Sequence, residues 1–405
     1  MHFAPIDDQL TDVLRGAVDV IHEAELRERL RAGRPLRVKL GIDPSSPDIH
    51  LGFTVPLRRL AAFQKHGHTA VLIIGDYTAM VGDPSGRNKT RPQLAREQVE
   101  ANARTYLEQV NKVLDVSKLE IVRNGDWFGK MSFLDILKLC SRSTVSQMLE
   151  REDFHKRFNT EQPISLHEFL YPLMQGWDSV MVRADVELGG TDQLFNLLVG
   201  RRLQEQEGMA PQVCITGPII AGLDGEQKMS KSLGNAIGVT LEPNDMFGKV
   251  MSIPDRLMPS WFMLLTREPE EKVAVLCDPE ATHPRQAKLA LAHLITQEMH
   301  GPAAADAAQQ AFEATFSRGL LPDDMPDASV ELTDGAIAAW ALVKLVHGGS
   351  GGDARRLVQQ GGAKLIQPLT GDEFTLKDAN AALTAEDLKD RVLKVGKRHF
   401  YRLRP

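Results

Sequence analysis

The chain has 405 residues, 42% hydrophobic and 25% charged, with a formal net charge of −6. This composition is typical of a soluble globular protein of two or three domains, and the charge excludes a uniformly basic nucleic-acid binder. No run approaches the roughly eighteen apolar residues that a membrane-spanning helix needs.

The first elements alternate between helix and strand. Residues 8–33 carry Leu, Val, Glu and Arg at helical spacing, which predicts one amphipathic helix. Residues 36–42 alternate apolar and polar side chains, which indicates a strand with one buried face. A turn over 43–47 precedes a second helix, which Asp48 is placed to cap, and the apolar run 70–74 predicts a strand covered on both faces. This order indicates an α/β fold with a Rossmann-like, doubly wound parallel sheet.

The rest of the chain is predicted to be mainly helical. Residues 91–115 are expected to form a long amphipathic helix, and 130–205 to be mostly helical. A buried strand is predicted at 213–220, followed by an Ala-rich helical segment at 244–320. Interleaved apolar residues in a basic C-terminal tail indicate a β-rich last element.

Three cysteines, Cys140, Cys214 and Cys277, are spread along the chain. This number and spacing suit neither a disulfide framework nor a zinc site, and they are typical of a reducing cytosol, so a cytoplasmic protein is expected. His66 and His68 form a candidate metal pair, but a helix-ending loop explains them better. We therefore expect no protein-bound metal.

Two short motifs suggest chemistry on phosphates. Residues 48–52 (Asp-Ile-His-Leu-Gly) place His50 and Gly52 in the first turn after a strand. There a glycine allows a nucleotide close to the backbone, and a helix N-terminus offers N–H groups to phosphate. Residues 228–232 (Lys-Met-Ser-Lys-Ser) place two ammonium groups and two hydroxyls in one loop. Such groups can neutralise the charge that builds on departing pyrophosphate.

These motifs resemble the HIGH and KMSKS signatures of class I aminoacyl-tRNA synthetases, and nearly the whole chain resembles bacterial tyrosyl-tRNA synthetases. The resemblance implies catalytic roles for His50, Lys228, Lys231, Arg87 and Arg91. It implies that ATP is bound by Asp43, Ser45, His50, Gly52, Asp192, Lys228, Ser230, Lys231 and Ser232. Phe53 departs from the family pattern, which usually has His or Asn there, so a contact with the ribose is lost or supplied elsewhere.

A glycine-rich loop at 82–91 has a competing interpretation as a phosphate loop. It lacks the Gly-Lys-Thr triplet of a Walker motif, and it resembles instead the Gly-Asp-Pro-Ser-Gly segment of tyrosyl synthetases. By that resemblance Asp83 receives the substrate ammonium, and Arg87 and Arg91 lie near the pyrophosphate.

Tyr171, Gln175 and Asp178 fall at positions i, i+4 and i+7, so one helix face presents all three. The resemblance implies that the first two hold the amino-acid ammonium and that Asp178 accepts the phenol hydroxyl. The full set of predicted tyrosine-binding residues is Lys39, Thr78, Asp83, Asn124, Tyr171, Gln175, Asp178 and Gln193. Lys39 stands where many members have a second phenol-binding Tyr, and Trp177 also departs from the pattern.

The C-terminal segment resembles the αL-type RNA-binding motif of a ribosomal small-subunit protein. Its predicted RNA-binding residues are Arg355, Arg356, Lys394, Lys397 and Arg398. The predicted organisation is a catalytic domain with a helical insertion at 1–232, an α-helical anticodon-binding domain at 233–325, a linker region at 326–352 and the RNA-binding domain at 353–405.

The resemblance implies a tyrosine–tRNA ligase that uses L-tyrosine, ATP with Mg²⁺ and tRNA(Tyr), works as a homodimer and needs no membrane. Three alternatives stay open from the residues. A tryptophanyl synthetase shares both signatures, a small-molecule adenylyltransferase would explain His50 but not residues 353–404, and an inactive RNA-binding paralogue would explain Phe53 and Lys39.

Overall fold

A computed structural model describes residues 3–84, 95–317, 325–333, 335–368, 372–396 and 399–404. The chain divides into two compact units, residues 1–305 and residues 306–405. No helix in these described ranges is long and apolar enough to cross a membrane.

The first unit contains six strands and most of the helices. The strands are β1 (Asp19–Ile21), β2 (Arg37–Ile42), β3 (Thr69–Ile74), β4 (Glu120–Arg123), β5 (Val186–Gly190) and β6 (Val213–Gly217). The helices up to the third strand and the following loop are α1 (Ile6–Leu14), α2 (Glu23–Arg31), α3 (Leu51–Lys65) and α4 (Thr78–Val81). Next come α5 (Arg96–Val110), α6 (Gly125–Phe128), α7 (Phe133–Cys140), α8 (Val145–Met148), α9 (Glu152–Asn159), α10 (Leu170–Met181) and α11 (Leu194–Gln206). The last are α12 (Pro243–Met251), α13 (Met258–Leu265), α14 (Glu270–Cys277) and α15 (Pro284–His300), and the next helix, α16 (Pro302–Ser317), begins in this unit and continues into the second.

The sheet of this unit has the strand order β1-β6-β5-β2-β3-β4. All neighbours pair in parallel except β1, which pairs antiparallel with β6 at the edge. The five parallel strands therefore have the Rossmann order, in which the chain reverses direction of progress between β2 and β5. This confirms the predicted α/β class, and it places the expected ligand crevice at the carboxyl ends of β2 and β5.

Both faces of the sheet are covered, because α3 packs against β2, β3 and β5 while α11 packs against β5 and β6. The predicted strands at 36–42 and 70–74 are confirmed as β2 and β3. The strand predicted at 213–220 is shorter, because β6 ends at Gly217 immediately before Pro218.

One prediction along this unit is wrong, and the mainly helical segment predicted at 130–205 is confirmed with one strand inside it. The single helix expected at 8–33 is two helices, α1 and α2, separated by Gly16 with a φ of +60° and by the edge strand β1. The mostly helical segment 130–205 also contains β5, whose buried Glu187 obscures the apolar pattern of a central strand. In both cases pairing with β6 decides the conformation.

The second unit is an α+β fold. Its elements are β7 (Asp327–Ser329), β8 (Ala336–Ala338), α17 (Ala339–His347), α18 (Gly351–Gln359), β9 (Ala363–Ile366), β10 (Glu373–Leu376), β11 (Ala382–Thr384), α19 (Ala385–Leu388), β12 (Val392–Val395) and β13 (His399–Arg404). Five strands form a sheet in the order β10-β9-β12-β13-β7, and β11 pairs with β8.

Residues 326–352 are not a linker, contrary to the prediction. Strand β7 pairs with β13, and Leu342 and Val343 of α17 are buried in one core with Val358, Leu365 and other residues of the terminal unit. Of the glycines that suggested a flexible break, Gly348 and Gly349 connect α17 to α18, and Gly351 and Gly352 begin α18, which packs against α17. The helices predicted at 244–320 are present as α12 to α16, and α12 to α15 belong to the first unit.

Candidate active site

A cavity of about 300 Å³ opens at the carboxyl ends of β2 and β5. It lies at the point where the strand order reverses, as the fold requires for a ligand site. The predicted ATP and tyrosine residues that line it are Asp43, Ser45, His50, Gly52, Thr78, Asp83, Tyr171, Gln175, Asp178, Asp192 and Gln193. Residues separated by up to 150 positions in the sequence therefore meet in one cavity.

Asp178, on α10, is 3% exposed and lines this cavity. Its Oδ1 accepts a hydrogen bond from the Trp127 indole N–H at 3.0 Å, and its Oδ2 accepts one from the Asn124 amide at 3.2 Å. Burial raises the pKa of Asp178 to about 7, although the ammonium of Lys39 and these two donors act in the opposite direction. The carboxylate is thus an oriented acceptor held in a site that disfavours its charge.

Asn124 was predicted to line the substrate pocket, and it lies instead behind it, fully buried. Its amide donates to Asp178 and to the Thr78 hydroxyl, and its side-chain oxygen accepts from the Tyr77 N–H. Trp127 was missed by sequence reasoning. Its position three residues after Asn124, in the short helix α6, is the only local signal for its role.

Asp43 follows β2 and connects the predicted ATP and tyrosine residues. Its two oxygens accept hydrogen bonds from the Thr78 hydroxyl at 2.7 Å and the Tyr171 hydroxyl at 2.9 Å. Gly75, which directly follows β3, is needed beside them, since a Cβ there would lie 2.1 Å from the Asp43 carboxylate and 2.4 Å from the Thr78 hydroxyl. This close approach explains a glycine that the sequence did not single out.

A second set of polar contacts crosses the cavity wall. Asn196 donates to the side-chain oxygens of Gln175 and Gln193, at 2.8 and 3.0 Å. Gln193 in turn donates to Asp83 at 2.8 Å. The guanidinium of buried Arg151 lies 3.5 Å from Asp83 and donates to Asn196. Asn196 and Arg151 are functional candidates that the motifs did not reveal.

Burial, together with the nearby carboxylate of Asp83, raises the pKa of Asp192, which also lines the cavity. Asp192 follows β5 directly, in a short 3₁₀ helix over Thr191–Gln193. A carboxylate at this strand end, beside glycines that leave the backbone open, can accept hydrogen bonds from ribose hydroxyls.

His50 is the N-cap residue of α3. The prediction that Asp48 caps this helix is therefore wrong. The helix begins at Leu51, so Asp48 lies two residues before the N-cap position, and its carboxylate accepts a hydrogen bond from Lys231. Burial and the charge of Lys231 lower the pKa of His50 to about 4, so the imidazole is neutral at pH 7. Its Nδ1 is buried with no hydrogen-bond partner among the described residues. A neutral ring can still donate one hydrogen bond to a phosphate oxygen.

Gly52 allows the close packing of the two signature motifs. A Cβ at Gly52 would lie 2.9 Å from Ile220 and 3.1 Å from the His50 ring. Its backbone N–H donates to the Met229 sulfur at 3.3 Å. Met229 is buried and lines the cavity, so the second residue of this motif forms an apolar part of the cavity wall.

The two lysines of the second motif are exposed and do not line the cavity. Lys231 donates to the carboxylate and to the backbone carbonyl of Asp48, each at 2.9 Å. The hydroxyls of Ser230 and Ser232 bond each other at 2.9 Å. Buried Asn235, another residue that the sequence did not single out, accepts from the Ser230 N–H and donates to Asp224, which fixes the loop.

Lys39 does not contact the cavity, which corrects its predicted role in binding tyrosine. Its side chain is 0% exposed and its ammonium donates to Glu187, to the Ser179 hydroxyl and to the Gln175 carbonyl, each at 2.8 Å. An ammonium has only three N–H donors, so these three contacts use them all. The neutralising partner Glu187 was not predicted, although two charged residues in two apolar strands are a signal for such a pair.

Phe53 and Trp177 depart from the family pattern and have different positions. Phe53 lines the cavity beside His50 and Gly52. Trp177 packs in the apolar cluster behind α10, with Met174 and Phe128, and does not line the cavity. Arg87 and Arg91 lie outside the described residues.

The predicted RNA-binding residues belong to the second unit. Arg355 and Arg356 are exposed on α18, and the Arg355 guanidinium lies over the Trp340 ring at 4.2 Å. Lys394 on β12 is mostly buried beside Glu373, at 3.6 Å, so part of its charge is already balanced. Lys397 and Arg398 lie outside the described residues.

The histidine pair that suggested a metal site has structural partners. His66 is the C-cap residue of α3 and bonds the Asp12 carboxylate at 2.8 Å. His68 bonds Gln9 at 2.9 Å and accepts from the Leu36 N–H. The helix-ending interpretation of these residues is confirmed.

The chain matches the family model described as tRNA synthetases class I (W and Y) over residues 31–317. Curated relatives named Tyrosine--tRNA ligase include those of Oleidesulfovibrio alaskensis, 49% identical over 98% of this chain and 99% of theirs, and Mannheimia succiniciproducens, 50% identical over 97% and 98%. That of Haemophilus influenzae is 49% identical over 98% of this chain and 97% of its own.

Solved structures show the same fold at lower identity. The tyrosyl-tRNA synthetase of Archaeoglobus fulgidus, complexed with L-tyrosine, aligns with a TM-score of 0.63 at 24% identity, over 75% of this chain and all of that one. A C-terminally truncated mitochondrial tyrosyl-tRNA synthetase from Aspergillus nidulans aligns with a TM-score of 0.64 at 23% identity, over 77% of this chain and 94% of that one. With its matching family model, its Rossmann-order sheet and its two signature motifs at one cavity, the chain belongs to the class I tRNA synthetases of the W and Y family.

Proposed function

We propose that the cavity at the ends of β2 and β5 binds tyrosine and ATP side by side and joins them as tyrosyl-adenylate. The activity is that of a tyrosine–tRNA ligase, the name carried by relatives about half identical over nearly the full length. The observation that supports tyrosine most directly is Asp178, a buried carboxylate oriented by Asn124 and Trp127 in the wall of the cavity.

Asp178 accepts the hydrogen bond of the substrate phenol. Phenylalanine would leave this desolvated carboxylate without that donor, and a buried polar group without a partner is costly. Tyr171, Gln175 and Asp83 line the same cavity and offer oxygen acceptors for the substrate ammonium. The pocket therefore recognises both ends of tyrosine.

ATP uses the α3 side of the cavity. The N-terminus of α3 and neutral His50 face the phosphates, Gly52 allows their close approach, and Asp43, Ser45 and Asp192 serve as polar contacts. The carboxylate of tyrosine attacks the α-phosphorus, the bond to the bridging oxygen breaks, and pyrophosphate leaves. Mg²⁺ enters with ATP, since it prefers phosphate oxygens and water over a protein cage.

Lys228 and Lys231, with the hydroxyls of Ser230 and Ser232, stabilise the departing pyrophosphate. In the described conformation Lys231 is bound to Asp48, so the clamp requires a movement of this loop toward the phosphates. Arg87 and Arg91 are assigned to the same task from the family resemblance. Binding that strengthens only as charge develops raises the rate constant and not the affinity for tyrosine.

In the second step the terminal ribose hydroxyl of tRNA(Tyr) attacks the activated carbonyl, and AMP leaves. Exposed Arg355 and Arg356 of α18 are proposed to contact the RNA backbone, together with Lys394, Lys397 and Arg398. The guanidinium of Arg355 is held against the Trp340 ring, which orders it for a phosphate contact. Residues 233–325 are proposed to contact the anticodon region.

We propose a homodimer that pairs through α7 and through residues 158–166, which follow α7 in the chain. Phe133, Leu134 and Leu137 of α7 are 77%, 60% and 48% exposed, and Phe158 and Leu166 are 61% and 83% exposed. Large apolar side chains exposed together are typical of a subunit interface. A cytoplasmic location fits the three free cysteines.

The decisive experiment is ATP–pyrophosphate exchange with purified full-length chain, Mg²⁺ and either tyrosine or tryptophan. Exchange that depends on tyrosine is expected, with no exchange above background for tryptophan. Exchange with tryptophan alone would replace the proposed substrate, and no exchange with either amino acid would contradict the proposed activation step.

A further inference from the structure

A buried ion pair lies directly behind the proposed tyrosine pocket. Lys39 of β2 and Glu187 of β5 are register partners in adjacent parallel strands, and their side chains are 0% and 1% exposed. Removing two charges from water is costly, and a buried pair often stabilises a fold no better than apolar residues would. The pair is therefore better explained if it also positions neighbouring residues of the pocket.

The ammonium of Lys39 connects the sheet to one turn of α10. Besides Glu187 it binds the Gln175 carbonyl and the Ser179 hydroxyl, each at 2.8 Å. Gln175 and Ser179 are four residues apart, so these contacts hold one helical turn against β2. Asp178, the proposed phenol acceptor, lies within this turn.

Glu187 fixes the amide of Gln175 from the other side. Its Oε1 accepts from the Gln175 Nε2 at 3.2 Å, while its Oε2 accepts from Ser179 at 2.9 Å and from Gln212. The Gln175 side-chain oxygen accepts from Asn196. With donor and acceptor both engaged, the amide has one orientation toward the cavity it lines.

The interface between α10 and α11 leaves room for this network only because Gly200 has no side chain. A Cβ at Gly200 would lie 2.7 Å from the Gln212 amide and 3.1 Å from the Ser179 hydroxyl. The same helices approach closely at Gly176, where a Cβ would lie 3.0 Å from the Gly200 backbone nitrogen. The packing thus accommodates the polar cluster with little free space around it.

We propose that the Lys39–Glu187 pair is a positioning and specificity-determining element, which fixes the turn of α10 that presents Gln175 and Asp178 to tyrosine. The inference rests on the proposed assignment of the cavity to tyrosine. Without the pair, the ammonium and phenol contacts weaken together. ATP binding changes little, because the hydrogen bonds of Lys39 and Glu187 go to Gln175, Ser179, Gln212 and each other, on the α10 side of the cavity.

The test is the double variant Lys39→Met/Glu187→Gln, which removes both charges, so that no buried charge remains without its partner. The single variant Lys39→Met leaves Glu187 buried without its cation, so a lower Tm is expected from it than from the double variant. Tm is measured by calorimetry, and KM for tyrosine, KM for ATP and kcat are measured by pyrophosphate exchange. For the double variant we expect a Tm near that of the wild type, an approximately tenfold higher KM for tyrosine and a KM for ATP within about twofold. Preference for tyrosine over phenylalanine should fall by about tenfold as well.

The matched control is Arg157→Met/Glu168→Gln, which removes a buried, two-contact ion pair between α9 and the 3₁₀ helix Leu166–Phe169. Neither residue lines the cavity, so tyrosine KM should not change. A Lys39→Met/Glu187→Gln protein with restored Tm and wild-type kinetics would show that the pair is structural only and would overturn the proposal.

If the double variant does not fold, Ser179→Ala provides the same test without altering charge. It removes one hydrogen bond from Lys39 and one to Glu187, and an approximately threefold rise in tyrosine KM is expected. An unchanged KM in that protein would overturn the proposal. Failure of the underlying function is distinguishable, since the wild-type protein itself would then show no tyrosine-dependent exchange.

Discussion

Lys231 donates to both the carboxylate and the backbone carbonyl of Asp48, at 2.9 Å each, although the two residues are 183 positions apart. The contact joins the two signature motifs beside the N-terminus of α3. It also holds the lysine outside the cavity that it is proposed to serve. Asp48 therefore pairs with Lys231 when no phosphate is bound. The energy of this exposed ion pair is small enough for a phosphate to compete with Asp48 for the ammonium.

Replacing Lys231 by Ala should lower kcat for tyrosyl-adenylate formation by about 10²-fold or more, with tyrosine KM nearly unchanged. The ammonium meets the pyrophosphate mainly in the transition state, so its loss appears in the rate constant. Pyrophosphate exchange measures both parameters. The exposed substitution Lys272→Ala is the control for a lost surface charge, and an equal loss of tyrosine affinity in Lys231→Ala would contradict the assignment.

Asp178→Asn should reduce the preference for tyrosine over phenylalanine by roughly tenfold or more. The amide oxygen still accepts a hydrogen bond, but the charge-assisted part of the contact is lost. The ratio of kcat/KM for the two amino acids gives the preference. An unchanged ratio would mean that another group reads the phenol.

The same residue predicts a pH dependence of stability. Burial raises the pKa of Asp178 to about 7 in the folded chain, whereas an unfolded chain has a value of about 3.9. Between these values the folded state retains a proton that the unfolded state releases, so the free energy of unfolding decreases as pH rises through this window. Asp178→Asn cannot ionise, and its Tm relative to the wild type should be higher at pH 8 than at pH 5.

Calorimetry at the two pH values checks this expectation. Asp8→Asn, at an exposed position of α1, controls for the removal of one carboxylate. The prediction is contradicted if the difference in Tm between wild type and Asp178→Asn is the same at pH 5 and pH 8.

Gly75→Ala should impair both substrate sites at once. The added Cβ would lie within 2.4 Å of the Thr78 hydroxyl and closer still to Asp43, so their hydrogen bond must break. Overpacking of this kind costs about 1–3 kcal/mol of stability. We expect higher KM values for tyrosine and for ATP in pyrophosphate exchange and a lower Tm. Gly352→Ala, whose Cβ meets only ordinary contacts in the second unit, is the matched substitution, and equal behaviour of the two variants would refute the steric argument.

Removing residues 318–405 should leave tyrosyl-adenylate formation nearly intact and strongly reduce tRNA charging. The described cavity residues all precede this segment, and Arg355 and Arg356 lie within it. The salt dependence of tRNA binding should also become weaker, because fewer phosphates are neutralised. The cut must precede β7, since a deletion from residue 340 would leave β7 without β13.

Pyrophosphate exchange and analytical ultracentrifugation control for folding and dimerisation of the shortened chain. Charging at the full rate, with an unchanged salt slope, would exclude an RNA-binding role for the second unit.

The sequence by itself determined the fold class and much of the site. The alternation over 36–42 and the apolar run 70–74 identified two central strands, because burial on a parallel sheet requires such residues. Local spacing also placed Tyr171, Gln175 and Asp178 on one helix face, and all three line the cavity. These features depend on periodicity and on short motifs, which a linear sequence displays directly.

Only the tertiary structure decided the roles that depend on distant partners. Lys39 lies in the core and not in the substrate pocket, because its ammonium pairs with Glu187, a residue 148 positions away. Asp48 pairs with Lys231 and does not cap α3. Residues 326–352 belong to a core because β13 pairs with β7 and α18 packs against α17. A buried charge or an unpaired strand edge must find a partner wherever the fold supplies one, and sequence spacing does not record which partner that is.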